Sequence, residues 1–175
     1  MAQYGFYFDS SKCTGCKTCQ VACKETHRLP LDNLYRRVYN YAGGGWTQNA
    51  NGTYIPQDIF SYHVSIACNH CTDPACVANC PTNAMAKDPE TGIVTSDHDV
   101  CIGCKTCVGV CPYGAPSLDQ EAGYVIKCDM CWSELTIGRK PVCVAACPMH
   151  LEPLFMFQYA SKGMLEELEQ SHIMD

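Results

Sequence analysis

The sequence predicts an α+β fold of short strands, short helices and long loops, arranged as two pseudo-symmetric modules around metal–sulfur centres. Three observations carry that expectation. All 16 cysteines among the 175 residues fall into four tight groups. Each group repeats one template: a C-x₂-C pair, a gap of variable length, then C-x₃-C. Strand-like stretches lead into the third and fourth groups, Gly92–Thr95 after an Asp88-Pro89-Glu90 turn and Glu121–Lys127.

The third group is the most diagnostic. Cys101, Cys104, Cys107 and Cys111-Pro112 form the complete C-x₂-C-x₂-C-x₃-C-P run of bacterial ferredoxins, whose fourth cysteine ligates a neighbouring iron–sulfur cluster. Gly103 is placed where the backbone must approach a sulfur closely, and Pro112 ends the turn without an unsatisfied N–H. The first group, Cys13, Cys16, Cys19 and Cys23, repeats the run with Lys24 in place of proline, and its Gly15 matches Gly103. The second, Cys68, Cys71, Cys76 and Cys80-Pro81, widens the gap through Asp73-Pro74. The fourth, Cys128, Cys131, Cys143 and Cys147-Pro148, opens it further.

A disulfide framework would disperse its cysteines, and a zinc site has no use for a third cysteine followed by C-x₃-C-P. Iron–sulfur ligation is the chemistry that remains. Sixteen cysteines make four complete sets, which predicts four [4Fe–4S] clusters. Because each fourth cysteine crosses over, the groups work in pairs, as two bacterial-ferredoxin-like modules. Spacing alone does not fix the pairing, although the short stretch between Cys80 and Cys101 suits one module nested inside the other.

The formal charge of −6 counts cysteine as neutral. Thiolates around four cores of about +2 bring the total to about −14, which argues against nucleic acid as a partner. Lys12, Lys17, Lys105 and Lys127 lie near the groups and are placed to offset that charge, a solvated surface role being the ordinary alternative for each. His70 and His150 stand close to ligands, but with the cysteine sets complete a hydrogen bond to sulfur or backbone is the role expected of them. No nucleophilic triad, paired catalytic carboxylates or phosphate-cradling glycine loop is present, so the chain is expected to move electrons without itself being an enzyme.

Between the first two groups, Leu34–Tyr41 and Ile59–Ala67 alternate in strand fashion around the turn-rich AGGGWTQNANG, which predicts a hairpin. Its Tyr35, Tyr39, Tyr41 and Trp46 are read as packing over clusters or against a partner in preference to binding a substrate. Lys162–Glu169 has the spacing of a surface helix. The N-terminus lacks a signal-peptide pattern, Arg36-Arg37 is read as structural and not as a twin-arginine signal, and no stretch reaches the roughly 18 apolar residues of a membrane span. A chain soluble by itself, brought to any membrane by a partner, is the expectation.

Taken together, YGFYFDSSKCTGCKTCQVACK, RRVYNYAGGGW, SIACNHCTDPAC, DVCIGCKTC and CPYGAP resemble the iron–sulfur B subunits of bacterial dimethyl sulfoxide reductases. More broadly, they resemble the four-cluster subunits of molybdopterin oxidoreductases. The resemblance runs from about Tyr4 to Pro148 and fades in the tail, which looks shorter than usual and lacks the membrane helix of formate-dehydrogenase relatives.

The resemblance implies a row of clusters between a molybdenum bis-pterin catalytic subunit and an integral-membrane, quinol-oxidising anchor. It implies pairing of the first group with the fourth and the second with the third. One cluster would then take Cys13, Cys16, Cys19 and Cys147, nearest the molybdenum subunit, and the next Cys23, Cys128, Cys131 and Cys143. A third would take Cys68, Cys71, Cys76 and Cys111, and the last, towards the quinol, Cys80, Cys101, Cys104 and Cys107. Some relatives replace the residue matching Cys104 and hold a [3Fe–4S] cluster there; cysteine at 104 implies four cubanes.

The corresponding boundaries are 1–23 with 112–150 for the first module, 64–111 for the second, 24–63 for a hairpin-like insertion and 151–175 for a tail with a short helix. Assembly in the cytoplasm is expected, with residence at the membrane through partners and export alongside the catalytic subunit to the periplasmic face as an available route. The rival reading is a freestanding polyferredoxin or hydrogenase-linked electron carrier, with the same ligands and no obligate large partner.

Overall fold

The computed structural model describes residues 2–149 and 156–158. The elements are small because the cysteine groups leave little chain for anything else. Strand β1 (Ala2–Tyr4) is followed by α1 (Thr18–Thr26) and a long hairpin of β2 (Arg37–Gln48) and β3 (Tyr54–Ile66). Next come α2 (Ala75–Ala78), β4 (Met85–Lys87), β5 (Val94–Ser96) and α3 (Thr106–Val110). Then follow β6 (Ser117–Leu118), β7 (Val125–Ile126), α4 (Trp132–Leu135), α5 (Val142–Ala145) and β8 (Met156–Gln158). The strands pair antiparallel into four two-stranded sheets: β1 with β8, β2 with β3, β4 with β5 and β6 with β7. The expected tail helix at 162–169 lies outside the described residues, as does His150.

Two of these sheets are built by the same local device. In β4–β5 the Asp88 carboxylate accepts from the N–H groups of Glu90 and Thr91, while the Asp88 N–H donates to the Ile93 carbonyl. In β6–β7 the Asp119 carboxylate accepts from Glu121 and Ala122, and the Asp119 N–H donates to the Tyr124 carbonyl. An Asp-x-x-x-Gly turn thus occurs twice, each time feeding a strand towards a cysteine group. The turn consumes Glu121–Gly123, so the strand expected over Glu121–Lys127 shortens to Val125–Ile126.

The hairpin is longer than its sequence suggests. The stretch AGGG is not turn but strand, because Gly44 (φ 101) absorbs a β-bulge between Gly43 and Gly45. A side chain at Gly44 would meet the Asp58 and Ile59 backbone within 2.5–2.8 Å. The true turn lies at Asn49–Thr53, closed by the Asn49 carboxamide oxygen accepting from Asn51 and Thr53 N–H. Beyond Val38 most of the ribbon is exposed, including Tyr39, Tyr41, Trp46, Tyr54, Phe60 and Tyr62. Tyr35 alone of the four singled-out aromatics packs inward, 5.1 Å from the His27 ring and against the core that holds Cys68 and Cys128.

The core is divided. One cluster gathers Ala67, Cys68, Ala115 and Cys128, with Phe6 and Tyr35 against it. Another gathers Met85, Cys107 and Val125, with Cys76, Cys80 and Cys101 at its edge. Helix α1 packs on α5, and α2 on α3. Those two helix pairs set the geometry of the cysteines.

Candidate iron–sulfur sites

The backbone of each C-x₂-C loop is bent in the same way. Its third residue takes a left-handed conformation in all four groups: Gly15 (φ 67), His70 (φ 45), Gly103 (φ 64) and Met130 (φ 64). The following lysines of the first and third groups, Lys17 and Lys105, share φ 62 and ψ 7 and cap α1 and α3. Glycine relieves this bend at two positions. At the other two the side chain is buried instead, Met130 at 0 % and His70 at 1 % exposure, so packing holds what conformational preference would not. The bend turns backbone N–H groups inward: His70 N–H lies 3.5 Å from Cys68 Sγ, and Met130 N–H 3.4 Å from Cys128 Sγ.

At Gly103 the requirement is doubled, since a Cβ would run into the Gly123 carbonyl of the β6–β7 turn. Gly103→Ala should therefore cost roughly 1–3 kcal/mol, seen as release of iron at lower temperature. Gly109→Ala on the open side of α3 has no neighbour within 4 Å and should release iron as the parent does.

The C-x₃-C pairs ride on the short helices, so one turn of about 6 Å rise separates the two sulfurs' attachment points. The two cysteines of each pair serve different surroundings. One cavity is lined by Cys13, Cys16 and Cys19 together with Cys147, with Cys143 and Arg36 at its inner wall. A second is lined by Cys68, Cys71, Cys76 and Cys111. A third is lined by Cys80, Cys101, Cys104 and Cys107. The remaining four, Cys23, Cys128, Cys131 and Cys143, are all buried. Each of the three cavities thus combines three cysteines of one group with a fourth from its helix partner, and Cys68 and Cys128 meet in one core cluster between them.

Burial governs the thiols. It pushes Cys23 up to about 12, with Cys143 and Cys131 adding repulsion, and Cys131 up to about 11. Cys128 is raised further still by its burial. Burial also raises Cys68 and Cys76, with Lys127 pulling the other way. Cys16 and Cys104 differ: both are exposed, and the hydroxyls of Thr18 and Thr106, at 3.3 and 3.4 Å, lower them. Buried thiols that resist ionisation become thiolates only when a metal displaces their protons.

Several neighbours escaped the sequence reading or changed role. His27, the residue that ends α1, has its Nε2 3.3 Å from Cys131 Sγ; its spacing of four residues from Cys23 was the available signal. Of the four lysines, only Lys127 is buried, donating to the Val94 and Cys128 carbonyls; Lys12, Lys17 and Lys105 are exposed. His70 hydrogen-bonds the backbone, its Nδ1 accepting from Val94 N–H at 3.0 Å, and burial pushes it down to about 3, so it stays neutral. Its Nε2 and the Nε of Arg36 are buried nitrogens without a partner among the described residues. Sets of four cysteines in small cavities, with unspent donors close by, fit cubane clusters and their sulfides.

The comparisons with known proteins agree with that chemistry. A 4Fe-4S dicluster domain matches residues 59–154, and a 4Fe-4S binding domain matches residues 4–25. The sequence is 52% identical over 149 residues to the B subunit of anaerobic dimethyl sulfoxide reductase from Haemophilus influenzae, covering 85% of this chain and 72% of that protein. It is 47% identical over 170 residues to the protein of the same name from Escherichia coli, covering 97% and 78%. The protein belongs to the family of dimethyl sulfoxide reductase B subunits.

As a member of that family it is an iron–sulfur protein of electron transport, and its cofactors are [4Fe–4S] clusters, four of which its 16 cysteines suffice to hold. A more distant relative, the B subunit of sulfite dehydrogenase from Allochromatium vinosum, is 34% identical over 169 residues, covering 85% of this chain and 66% of that protein. No described helix of this family member is long and apolar enough to cross a membrane.

Proposed function

We propose that the chain is the electron-transfer subunit of a dimethyl sulfoxide reductase-type complex, carrying electrons through four [4Fe–4S] clusters. It links a quinol-oxidising membrane anchor to a molybdopterin catalytic subunit, and it reaches the membrane through those partners. The observation that carries the reading is the set of three cavities, each lined by three cysteines of one group and at least one of another. The proposed ligands are Cys13, Cys16, Cys19 and Cys147 for the first cluster and Cys23, Cys128, Cys131 and Cys143 for the second. Cys68, Cys71, Cys76 and Cys111 hold the third, and Cys80, Cys101, Cys104 and Cys107 the fourth.

The arrangement amounts to two pseudo-symmetric ferredoxin-like modules, an outer one on α1 and α5 and an inner one on α2 and α3. When bound, each cluster accepts and releases one electron. The protein supplies thiolate ligands, N–H donors to sulfur and a buried path between sites. The two end sites each bring one exposed cysteine, Cys16 and Cys104, to the surface, as transfer to and from other subunits requires.

Purification of the native protein from anaerobically grown membranes tests the reading. The chain should co-purify with a large pterin-containing subunit and a membrane protein, with about four iron atoms per cluster and reduction by quinol. A stable monomer with its full iron and no large partner would instead favour a freestanding carrier.

A further inference from the structure

Arg36 is a charged residue in a buried position. It lies in the bend just before β2, two residues from buried Val38. Arg36 is 6 % exposed, and among the described residues no carboxylate pairs with it. Its Nη1 donates to Ser65 Oγ at 3.1 Å, and Ser65 Oγ lies 3.4 Å from Cys19 Sγ. Its guanidinium carbon stands 4.3 Å over the Phe6 ring, and its Nε has no partner among the described residues. The side chain lines the cavity of Cys13, Cys16, Cys19 and Cys147, at the wall it shares with Cys143. A guanidinium buried without an anion is strongly disfavoured, so the anion must come from the sulfur sites on either side.

We propose that Arg36 is the internal counter-ion of two clusters, the one at Cys13, Cys16, Cys19 and Cys147 and the one at Cys23, Cys128, Cys131 and Cys143, and that it raises the reduction potential of both. This rests on the cluster assignment above. A cubane with four thiolates is an anion that gains one further negative charge on reduction. A fixed positive charge between two such sites favours the reduced form of each. Arg36 is therefore a positioning and tuning residue, not a ligand.

The test is an EPR-monitored redox titration of the native complex carrying Arg36→Gln, Arg36→Lys or, as control, Arg37→Gln. Iron and sulfide content should match the parent in all three. In Arg36→Gln two of the four clusters should become harder to reduce, the oxidised-to-reduced ratio at fixed potential rising at least tenfold, about 59 mV for one electron. The other two clusters should titrate unchanged, and Arg36→Lys and Arg37→Gln should follow the parent. Unchanged potentials in Arg36→Gln, with all clusters present, would overturn the proposal while leaving the cluster assignment intact. A parent protein without four clusters would overturn the assignment itself.

Should Arg36→Gln not accumulate, spin-echo modulation spectra of the parent decide. With arginine labelled by the heavy nitrogen isotope, a nitrogen coupling should appear on two of the reduced clusters. No arginine coupling on any cluster would overturn the proposal.

Discussion

Stripping the iron from this protein with a chelator, anaerobically and with reductant present, should abolish its tertiary structure completely. Cysteines make up six of the seventeen buried apolar residues described, so about a third of the hydrophobic core consists of proposed ligands. The rest cannot stand alone. Four of the five described helices have five residues or fewer, far below the roughly 12–15 at which an isolated helix is even marginal in water. Every sheet among the described residues has two strands, and such ribbons are marginal without further packing.

Nor can the thiols substitute for metal. Cys23, held up to about 12 by burial and its cysteine neighbours, remains a neutral polarisable side chain that binds nothing. Folding and cluster insertion should therefore be one event. Near-UV circular dichroism should vanish with the visible absorption of the clusters, and limited proteolysis should open the chain at the same chelator concentration. An iron-free chain that kept its near-UV spectrum would refute this account.

Replacing Cys104 by a larger residue that cannot bind iron should convert one cubane to a [3Fe–4S] cluster and leave the fold intact. Cys104 is exposed and lines its cavity with Cys80, Cys101 and Cys107, the last of which is buried. Losing the outer ligand frees one corner iron to solvent while the three inner thiolates keep the core. Iron should fall by about one atom in sixteen, and an EPR signal should appear in the oxidised state where the parent has none. Electron entry from quinol should slow, because this site faces the anchor in the proposed order. The same replacement at Cys107 should instead cost the whole cluster and much of the protein, since it removes a buried member of the Met85–Val125 core. Four intact cubanes in the Cys104 variant would show that Cys104 is not the ligand.

Much of the site was legible in the sequence because metal ligation imposes spacing. The run from Cys101 to Pro112 identifies the chemistry, and Gly15 and Gly103 mark the left-handed bend. The same bend at His70 and Met130 was not legible, because there burial and not residue preference sustains it. Arg36 was hidden for a similar reason. It lies in the bend before β2, where no strand alternation announces burial, and a charge there makes sense only once Cys19 and Cys143 are seen to line the same cavity. The hairpin's strands were visible from alternation, whereas the AGGG stretch, turn-like in composition, proved to be a bulged strand because its partner Asp58 approaches too closely for a side chain.

The cavity shared by Cys13, Cys19 and Cys147 has a consequence for biosynthesis. The proposed ligands there come from the first and fourth cysteine groups, so the outer module cannot close until Cys147 has been made. The proposed ligands of the inner sites all lie between Cys68 and Cys111, and the cavities that hold them are complete once Val125 and Lys127 have been made. Iron loading should then run from the middle of the polypeptide outward, with the first cysteines to be made the last to be committed. A nascent chain arrested before Cys143 would carry two clusters and a bare N-terminal loop waiting for its partner helix.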